Sequence, residues 1–335
     1  MDEDGLEIAA LFQVEPAIAP PTGQVPAHRL TVNPAQRLAH GWRICQPVDG
    51  DAAPETVNGA ILSELVGGAT GIYLQTGSVS AKHLERILHN VVLGAVDIVL
   101  DAGPHFGDLL TAFETVARGQ NKNLADISLD LAIDPFAPQS DDNFLADGLK
   151  LLAHAYDTDI VDGVFKLNGW QWHNSGLTQV QELAYLVASA AQIFRSGIEA
   201  RISAELLARK ISMSIALPAD MFDGIAKCRA LRRCWAGVLT ALGLNAASYP
   251  LQLHGLPSMR MFSLTDGDTN ILRTTTALLG GAIGGSDMMT AFPHDTLTGS
   301  SKMGRRLARM QHVMMIEESG LARSLDPAGG AAFMR

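Results

Sequence analysis

Cysteine is scarce in this chain, and its scarcity excludes two kinds of site. Only Cys45, Cys228 and Cys234 occur among the 335 residues. Three cysteines so far apart in the sequence are too few for a disulfide framework or a tetrahedral zinc site. We therefore interpret each of them as a small, buried apolar residue of a protein from a reducing compartment.

Long apolar runs and clustered positive charge are also missing. No apolar run reaches the ~18 residues that would cross a bilayer, and the chain begins with Asp2, Glu3 and Asp4, where a secretory signal needs positive charge. The formal net charge is -10, and no basic stripe with interleaved aromatic residues is present. We expect a cytoplasmic protein whose partners include neither nucleic acid nor membrane.

The common catalytic signatures are absent from the sequence. The histidines form no HExxH motif and have no His/carboxylate spacing that would hold a metal, and no Cys-x-x-Cys pair occurs. Neither a GxSxG elbow nor a GxxxxGK[ST] phosphate loop is found, and no GxGxxG follows a predicted strand. Hydrolase, nucleoside-triphosphate and NAD-dependent functions therefore have no local support.

The residues that are present predict one barrel domain with an extended arm. Residues 1–38 are rich in Pro and Ala, which disfavours helix and sheet and predicts an N-terminal arm. Residues 39–335 alternate short apolar runs with longer helical patterns, the signature of βα units. This alternation predicts a (β/α)₈ TIM barrel. We place its strands near residues 42–46, 71–75, 97–101, 127–132, 163–167, 211–216, 251–254 and 287–291.

Three helices are well marked by their apolar spacing. Two of them begin near Thr178 and Asp220, and a third is predicted from Asn270 to Gly280, before a Gly-rich turn. The second helix carries a basic cluster, which we interpret as a solvated outer face and not as a phosphate site. This cluster consists of Lys227, Arg229, Arg232 and Arg233.

A barrel enzyme carries its reactive groups on the loops that follow its strands, so candidate site residues are sought there. No pair among them forms a recognisable acid and base couple. The candidates are Gln75, Asp101, Asp134, Asn168, Gln171, His173, His254, Asp266 and His294.

Two stretches of sequence carry a resemblance to a known family. One is residues 169–176, Gly-Trp-Gln-Trp-His-Asn-Ser-Gly, leading into Gln-Glu-Leu at 181–183. The other is the tail from 305 to 330, with Arg-Met-Gln at 309–311 and Asp-Pro-Ala-Gly-Gly at 326–330. In order and spacing, the chain from about residue 41 to 330 resembles the barrel of the adenosylcobalamin-dependent methylmalonyl-CoA mutases. It is closer to the small, non-catalytic subunit than to the large one.

The resemblance implies that substrate-binding groups have been lost. Catalytic chains carry a His five residues before the Gly that opens the following helix, and here that position is Gln171. An amide can bond a carbonyl, but it cannot donate from a cationic or titratable ring. His173 lies two positions later, about 6.5 Å away if this segment is extended. A second substrate-facing His becomes Thr290, and no Arg stands between residues 119 and 194 to hold an acyl carboxylate.

The resemblance also concerns the barrel channel and the cofactor. The aromatic residues Phe165, Trp170 and Trp172 are large enough to plug a channel that catalytic barrels keep open for the pantetheine arm. No Asp-x-His-x-x-Gly motif occurs, so we expect no flavodoxin-like cobalamin domain, no catalytic residues, and no metal or cofactor bound by this chain alone. Adenosylcobalamin would be held in the assembled enzyme by the large chain.

Three functions remain open at this point. The first is a non-catalytic small subunit that pairs with a large catalytic mutase chain, which would interconvert methylmalonyl-CoA and succinyl-CoA. The second is an acyl-CoA mutase barrel that acts with a separately encoded cobalamin domain and uses Gln171, His173 and Asn168 on a branched acyl group without a carboxylate. The third is a barrel that serves as a binding or regulatory module, with acyl-CoA as a possible ligand.

Overall fold

The chain forms a closed barrel of eight parallel strands in sequential order in a computed structural model. The structure describes residues 3–5, 31–75, 81–101, 103, 106–123, 126–138, 140, 143–157, 163–329 and 331. The predicted (β/α)₈ architecture is confirmed. Within these residues no helix is both long and apolar enough to cross a membrane.

Strands and helices alternate along the chain, with short additional helices before the first strand and after the fifth. The strands are β1 Arg43–Asp49, β2 Gly71–Gln75, β3 Asp97–Asp101, β4 Leu129–Ile133, β5 Gly163–Asn168, β6 Ile211–Leu217, β7 Gln252–Pro257 and β8 Met288–Met289. The helices are α1 Pro34–His40, α2 Pro54–Val66, α3 Ala81–Ile87, α4 Phe106–Gly119, α5 Phe144–Asp157, α6 Gly169–Asn174, α7 Gln179–Glu199, α8 Ala204–Lys210, α9 Met221–Ala241, α10 Asn270–Gly284 and α11 Lys302–Val313.

Apolar side chains are buried in two separate places. The larger cluster fills the space between the sheet and the surrounding helices, and it includes Phe113, Phe165 and Phe194. The smaller cluster is made mainly by alternate strand residues of the opposite face, such as Cys45, Tyr73 and Val99. Because successive strand residues point to opposite faces, this second cluster lies inside the barrel.

The pairing between β4 and β5 is irregular at the centre of the barrel. The register shifts between Asp130 and Ile133, and Ala132 adopts a positive φ of 48°, which is unusual for a residue with a side chain. The Asp130 carboxylate accepts a bond from the Ala132 N–H at 2.9 Å, which holds this bulge together. Asp130 of β4 and Asp134, which directly follows β4, flank this bulge and belong to the site described below.

The helix predictions hold at the amino ends and fail at one carboxyl end. Thr178 caps α7 in a reciprocal capping box, and Asp220 caps α9. Helix α10 does not stop at Gly280, as expected, but continues to Gly284 before the left-handed Gly285. Gly280 serves close packing and not a turn, since a Cβ on it would lie 2.9 Å from the Met221 carbonyl oxygen of α9, whereas Gly285 ends the helix.

The basic cluster on α9 is not the solvated face that its sequence predicts. Lys227 is buried, bonds the Glu182 carboxylate of α7, and donates to the Ala216 carbonyl at 2.7 Å. Arg232 is buried and lies 2.8 Å from Asp287. These two cations therefore join the helical layer to the sheet. The prediction of a solvated face was wrong for Lys227 and Arg232 because their acidic partners are distant in sequence and could not be paired with them from local patterns.

The predicted N-terminal arm ends in a helix. Residues 34–38 belong to α1, which starts with Pro34 in its first turn and is capped by the Asn33 side chain at 3.0 Å from the Gln36 nitrogen. Residues 3–5 and 31–33 of the arm are described as well, and its remaining residues lie outside the described part of the chain. The division into an arm and a barrel at residue 38 stays a prediction.

The three cysteines have two different environments. Cys45 and Cys228 are fully buried, and burial raises the pKa of both thiols, that of Cys45 to about 12. Cys234 is exposed. The expectation of three buried cysteines is therefore wrong for Cys234, which lies on the outer side of α9.

Candidate functional site

A small polar cavity lies where barrel enzymes carry their chemistry, at the carboxyl ends of β2 to β5. Its volume is about 20 Å³, which is close to the space that one water molecule needs. Four of the nine candidate residues meet here. The described lining consists of Tyr73, Asp101, Gly103, Ala132, Asp134, Ala137, Phe144, Lys166, Asn168 and Gln171.

A buried ion pair occupies the barrel interior beneath this cavity. Lys166 of β5 lies 3.0 Å from Asp130 of β4, and each side chain is only 5% exposed. The Ser212 hydroxyl donates to the same carboxylate at 3.1 Å. Burial by itself would raise the pKa of Asp130, but the Lys166 ammonium and these hydrogen bonds outweigh it and leave the pKa below its usual value.

Two further carboxylates face the cavity in a poorly solvated setting. Asp101 accepts a bond from the Tyr73 hydroxyl at 2.9 Å, and burial raises its pKa. Burial raises the pKa of Asp134 to about 6, although its oxygens accept bonds from the backbone N–H groups of Asn168 at 2.8 Å and Phe136 at 3.0 Å. The raised pKa brings the titration of Asp134 close to neutrality.

Gln171 reaches the cavity because the chain turns into a helix directly after β5. The Asn168 side chain caps this helix by accepting a bond from the Gln171 N–H at 3.1 Å, and it also accepts from the Ser214 hydroxyl at 3.0 Å. The segment from Gly169 to Asn174 is therefore helical, and the extended geometry assumed for it is wrong. On a helix, residues two apart point roughly 200° away from each other.

His173 consequently does not share the position of Gln171. Its Nε2 lies 3.0 Å from the Ser258 hydroxyl and its Nδ1 lies 3.2 Å from the Glu182 carboxylate. His173 is 5% exposed and is not part of the described cavity lining. It is held as a structural link between α6, α7 and the turn after β7.

The other candidate residues lie apart from the cavity. His254 is inside the barrel, with Nε2 at 2.8 Å from the Thr290 hydroxyl, and burial lowers its pKa well below the usual value. His294 lies 3.6 Å from Asp268, and Asp266 accepts a bond from Thr269. Gln75 ends β2 and is not part of the lining.

Of the three aromatic residues expected to plug the channel, only Trp170 packs against the inner cluster. Its ring stacks on Phe292 with centroids 5.5 Å apart, and its indole N–H donates to the Pro257 carbonyl at 2.8 Å. Phe165 instead faces Gly148 of α5, and Trp172 packs on Tyr185 of α7. The plug prediction is wrong for these two because strand and helix periodicity turns them outward.

A second cavity, of about 350 Å³, lies at the opposite, amino end of the barrel. Thr31, Arg37, Arg43, Gln252 and Asp287 contribute to its lining. Arg43 is 3.3 Å from Asp97 of β3. This pair and the Lys166–Asp130 pair stand on the inner face of the barrel between the two cavities.

Lys166 and Asp130 are the site residues that the sequence reading missed. Both residues lie within strands, whereas the predicted site residues were sought in the loops that follow the strands. The available signal was a charged side chain in each of two otherwise apolar runs, Gly-Val-Phe-Lys-Leu at 163–167 and Leu-Asp-Leu-Ala-Ile at 129–133. Opposite charges on neighbouring buried strands indicate an ion pair.

The described residues contain no group of three or more His, Cys, Asp or Glu side chains arranged to hold a metal ion. The carboxylates of the cavity are instead engaged by Tyr73 and by backbone N–H groups. The described lining offers hydrogen-bonding groups around a cavity of about 20 Å³, and none of these lining residues is a histidine.

The chain is similar to known mutases. The family model described as methylmalonyl-CoA mutase matches residues 164–335. The probable methylmalonyl-CoA mutase small subunit of Mycobacterium tuberculosis (strain ATCC 25618 / H37Rv) is 30% identical over 99% of this chain and 56% of its own length. The small subunits of Streptomyces virginiae (31% identity, 99% of this chain, 55% of the relative) and Propionibacterium freudenreichii subsp. shermanii (27%, 82% and 44%) also match. This chain thus spans about half the length of these relatives.

Proposed function

The chain belongs to the methylmalonyl-CoA mutase family, and we propose that it is a non-catalytic barrel subunit that pairs with a larger mutase chain. In this proposal the larger chain carries adenosylcobalamin and interconverts methylmalonyl-CoA and succinyl-CoA. The present chain stabilises that partner. The relatives that match almost all of this chain are named small subunits, and this supports a partner of the complementary kind.

The observation that carries the proposal is the filled barrel interior. A thioester arm that crosses a barrel along its axis needs a continuous channel, whereas here Lys166 of β5 and Asp130 of the neighbouring β4 are paired on the inner face, and Trp170 stacks on Phe292. The cavity that remains at the described carboxyl end holds about 20 Å³. Opening the interior beside β4 and β5 to an acyl-CoA arm would separate the buried Lys166–Asp130 pair, and separating such a pair typically costs several kcal/mol.

The polar groups at the cavity support the same proposal. Gln171 is the side chain that reaches the cavity from α6, and it offers an amide where the resemblance places an imidazole. The cations nearest to the cavity and the interior, Lys166 and Arg43, are paired with Asp130 and Asp97. A substrate carboxylate would therefore meet Asp101 and Asp134 without a free cation to neutralise it, among the residues that the structure describes.

The described residues at this cavity do not fit cobalamin. A lower cobalt ligand of the family type is an imidazole, and the described part of the lining contains none. The buried imidazoles of His173, His254 and His312 are engaged by Ser258, Thr290 and Trp42 respectively. We therefore assign the cofactor and all of its chemistry to the partner chain.

Co-expression with a tagged large mutase chain tests the proposal. We expect this chain to co-purify with the tagged chain, to co-elute in gel filtration, and to raise the yield or thermal stability of the mutase activity. An obligate interface of this kind should bury more than ~2,000 Å². The isolated chain should therefore be poorly soluble or self-associated, and clean monomeric behaviour at micromolar concentration would count against an obligate partner.

A second arm of this experiment separates the proposal from a catalytic barrel. The purified chain is mixed with a free cobalamin domain, adenosylcobalamin and several branched acyl-CoA thioesters. We expect no turnover, and a Gln171→His variant should also remain inactive because the interior is still filled. Turnover without a large partner chain would overturn the proposal in favour of an acyl-CoA mutase barrel.

A further inference from the structure

The first described residues of the chain lie against the amino end of α7, far from their neighbours in sequence. The Glu3 carboxylate accepts a bond from the Gln179 N–H at 2.9 Å. The Asp4 carboxylate accepts from the Thr178 hydroxyl and, at 3.4 Å, from the Val180 N–H. Two carboxylates from the start of the chain thus satisfy two backbone donors of a helix that begins more than 170 positions later.

The amino end of α7 is well suited to hold this pair. A helix leaves its first N–H groups without intrahelical partners, and its dipole favours negative charge at that end. The cap residue of the helix, Thr178, accepts a hydrogen bond from the Gln181 N–H at 3.2 Å. The N–H groups of Gln179 and Val180 bond to acceptors outside the helix. The helix is 21 residues long, so its dipole is fully developed.

A cation completes the arrangement. Arg260, in the turn after β7, lies 3.5 Å from the second oxygen of Glu3 and donates to the Leu177 carbonyl at 3.1 Å. The carboxylate of Asp223 is also nearby and has the same sign of charge as Glu3. It accepts a bond from the Gln179 side chain at 3.3 Å. Glu3 and Asp4 are thus held by two backbone N–H groups, a hydroxyl and a guanidinium.

A second set of contacts fixes the end of the same segment at the other face of the barrel. The Thr31 hydroxyl and the Val32 N–H both donate to Asp287 at 2.7 Å, and Arg37 donates to the Ser286 carbonyl at 2.7 Å. Asp287 precedes β8, so these contacts lie at the amino end of the strands. The contacts of Glu3 and Asp4 and the contacts of residues 31–37 therefore lie at opposite faces of the barrel.

We propose that Glu3 and Asp4 form an acidic clasp, which docks the start of the chain on α7 and Arg260 at the carboxyl face of the barrel. The two carboxylates are intramolecular ligands of the α7 amino end and of Arg260. It holds the turn between α6 and α7, which follows the helix that carries Gln171 and His173. The inference is independent of the proposed function, since it concerns this chain alone.

Amide hydrogen exchange in the full chain tests the clasp at single residues. In a Glu3→Ala/Asp4→Ala variant, the N–H groups of Gln179 and Val180 should exchange at least about tenfold faster, because their acceptors are gone. The Gln181 N–H, held by Thr178, is an internal reference and should not change. The control Glu317→Ala/Glu318→Ala removes two exposed carboxylates elsewhere and should leave all three rates unaltered.

A charge-conserving change at Arg260 separates electrostatic docking from a general loss of order. Arg260→Glu should accelerate exchange at Gln179, whereas Arg260→Lys, which keeps a positive charge beside the Glu3 carboxylate, should retain most of the protection. Raising the salt concentration should weaken the clasp in the unmodified chain, since its charges are partly exposed. Equal exchange rates in the unmodified and Glu3→Ala/Asp4→Ala chains, or equal acceleration by Arg260→Glu and Arg260→Lys, would overturn the proposal.

Discussion

Individual buried side chains link the stability of this barrel to pH. His312 of α11 is fully buried, and its Nδ1 accepts a bond from the Trp42 indole N–H at 3.0 Å. Burial lowers the pKa of His312 to about 3. An unfolded chain binds a proton at this residue near pH 6.5, whereas the folded chain does not. Stability is therefore lost as pH falls from about 6.5 towards 3.

His312→Asn should reduce this acid sensitivity. Asn keeps an acceptor for Trp42 but does not titrate, so between pH 7.5 and 5 the variant should avoid a loss of about 2 kcal/mol that the unmodified chain suffers. Urea unfolding at the two pH values measures the difference. Asp134 acts in the opposite direction, because its raised pKa favours the folded chain at low pH, and its effect cancels in the comparison. The exposed His89→Asn is the control, and an equal pH dependence in all three chains would contradict the prediction.

At the scale of elements, α9 and α10 approach each other closely because glycines occupy contact positions on both helices. A Cβ on Gly224 would lie 3.3 Å from Gly280 Cα, and a Cβ on Gly284 would lie 2.8 Å from Cys228 Cβ. These contacts bring α10 against α9 while both helices cover the sheet. The glycine-rich sequence of α10 is therefore a packing surface.

Gly280→Ala should destabilise the chain by about 1–3 kcal/mol, the usual cost of overpacking. The added methyl group would meet the Met221 carbonyl oxygen, which cannot move without shifting α9. Gly237→Ala is a matched control, since it also lies in a helix and its Cβ would have nothing within 4 Å. Thermal unfolding should show a lower midpoint for Gly280→Ala and an equal or higher one for Gly237→Ala. A Gly280→Ala chain as stable as the unmodified one would refute the packing argument.

Local patterns predicted most of these elements, and long-range contacts account for the failures. Two strands, Gly71–Gln75 and Asp97–Asp101, were predicted with their observed ends, because apolar runs bounded by turn residues are local signals. The burial of Lys227 and Arg232 could not be predicted, since their partners Glu182 and Asp287 lie 45 and 55 positions away. Gln171 and His173 likewise point in different directions because both lie on helix α6. The cap of that helix, Asn168, was predicted only as a site residue and not as the start of a helix.

At the scale of the whole molecule, the barrel interior is held by charge as well as by apolar packing. Lys166 and Asp130 are each about 95% withdrawn from solvent, and each satisfies the other. Such a pair adds little net stability relative to apolar residues of the same shape, but removing one partner leaves an uncompensated buried charge. The pair therefore makes the interior intolerant of single changes.

Lys166→Met should cost about 3–5 kcal/mol, whereas Lys166→Met/Asp130→Asn should cost clearly less than the sum of the two single changes. The neutral Asn keeps one oxygen that can accept from the Ala132 N–H, and its NH2 group can donate to the Ser212 hydroxyl. A double-mutant cycle by urea unfolding measures the coupling energy. Strict additivity would mean that the two side chains do not compensate each other, and the filled interior would then need another explanation.

The unequal placement of the three thiols has a practical consequence. Cys45 and Cys228 are sealed from solvent with raised pKa values, whereas Cys234 stands exposed on α9. Since a thiolate must form and be reached before it reacts, a maleimide dye should couple at one position of the native chain. The unmodified protein thus carries its own attachment point for a fluorophore, from which distances to a labelled partner can be measured without engineering a cysteine.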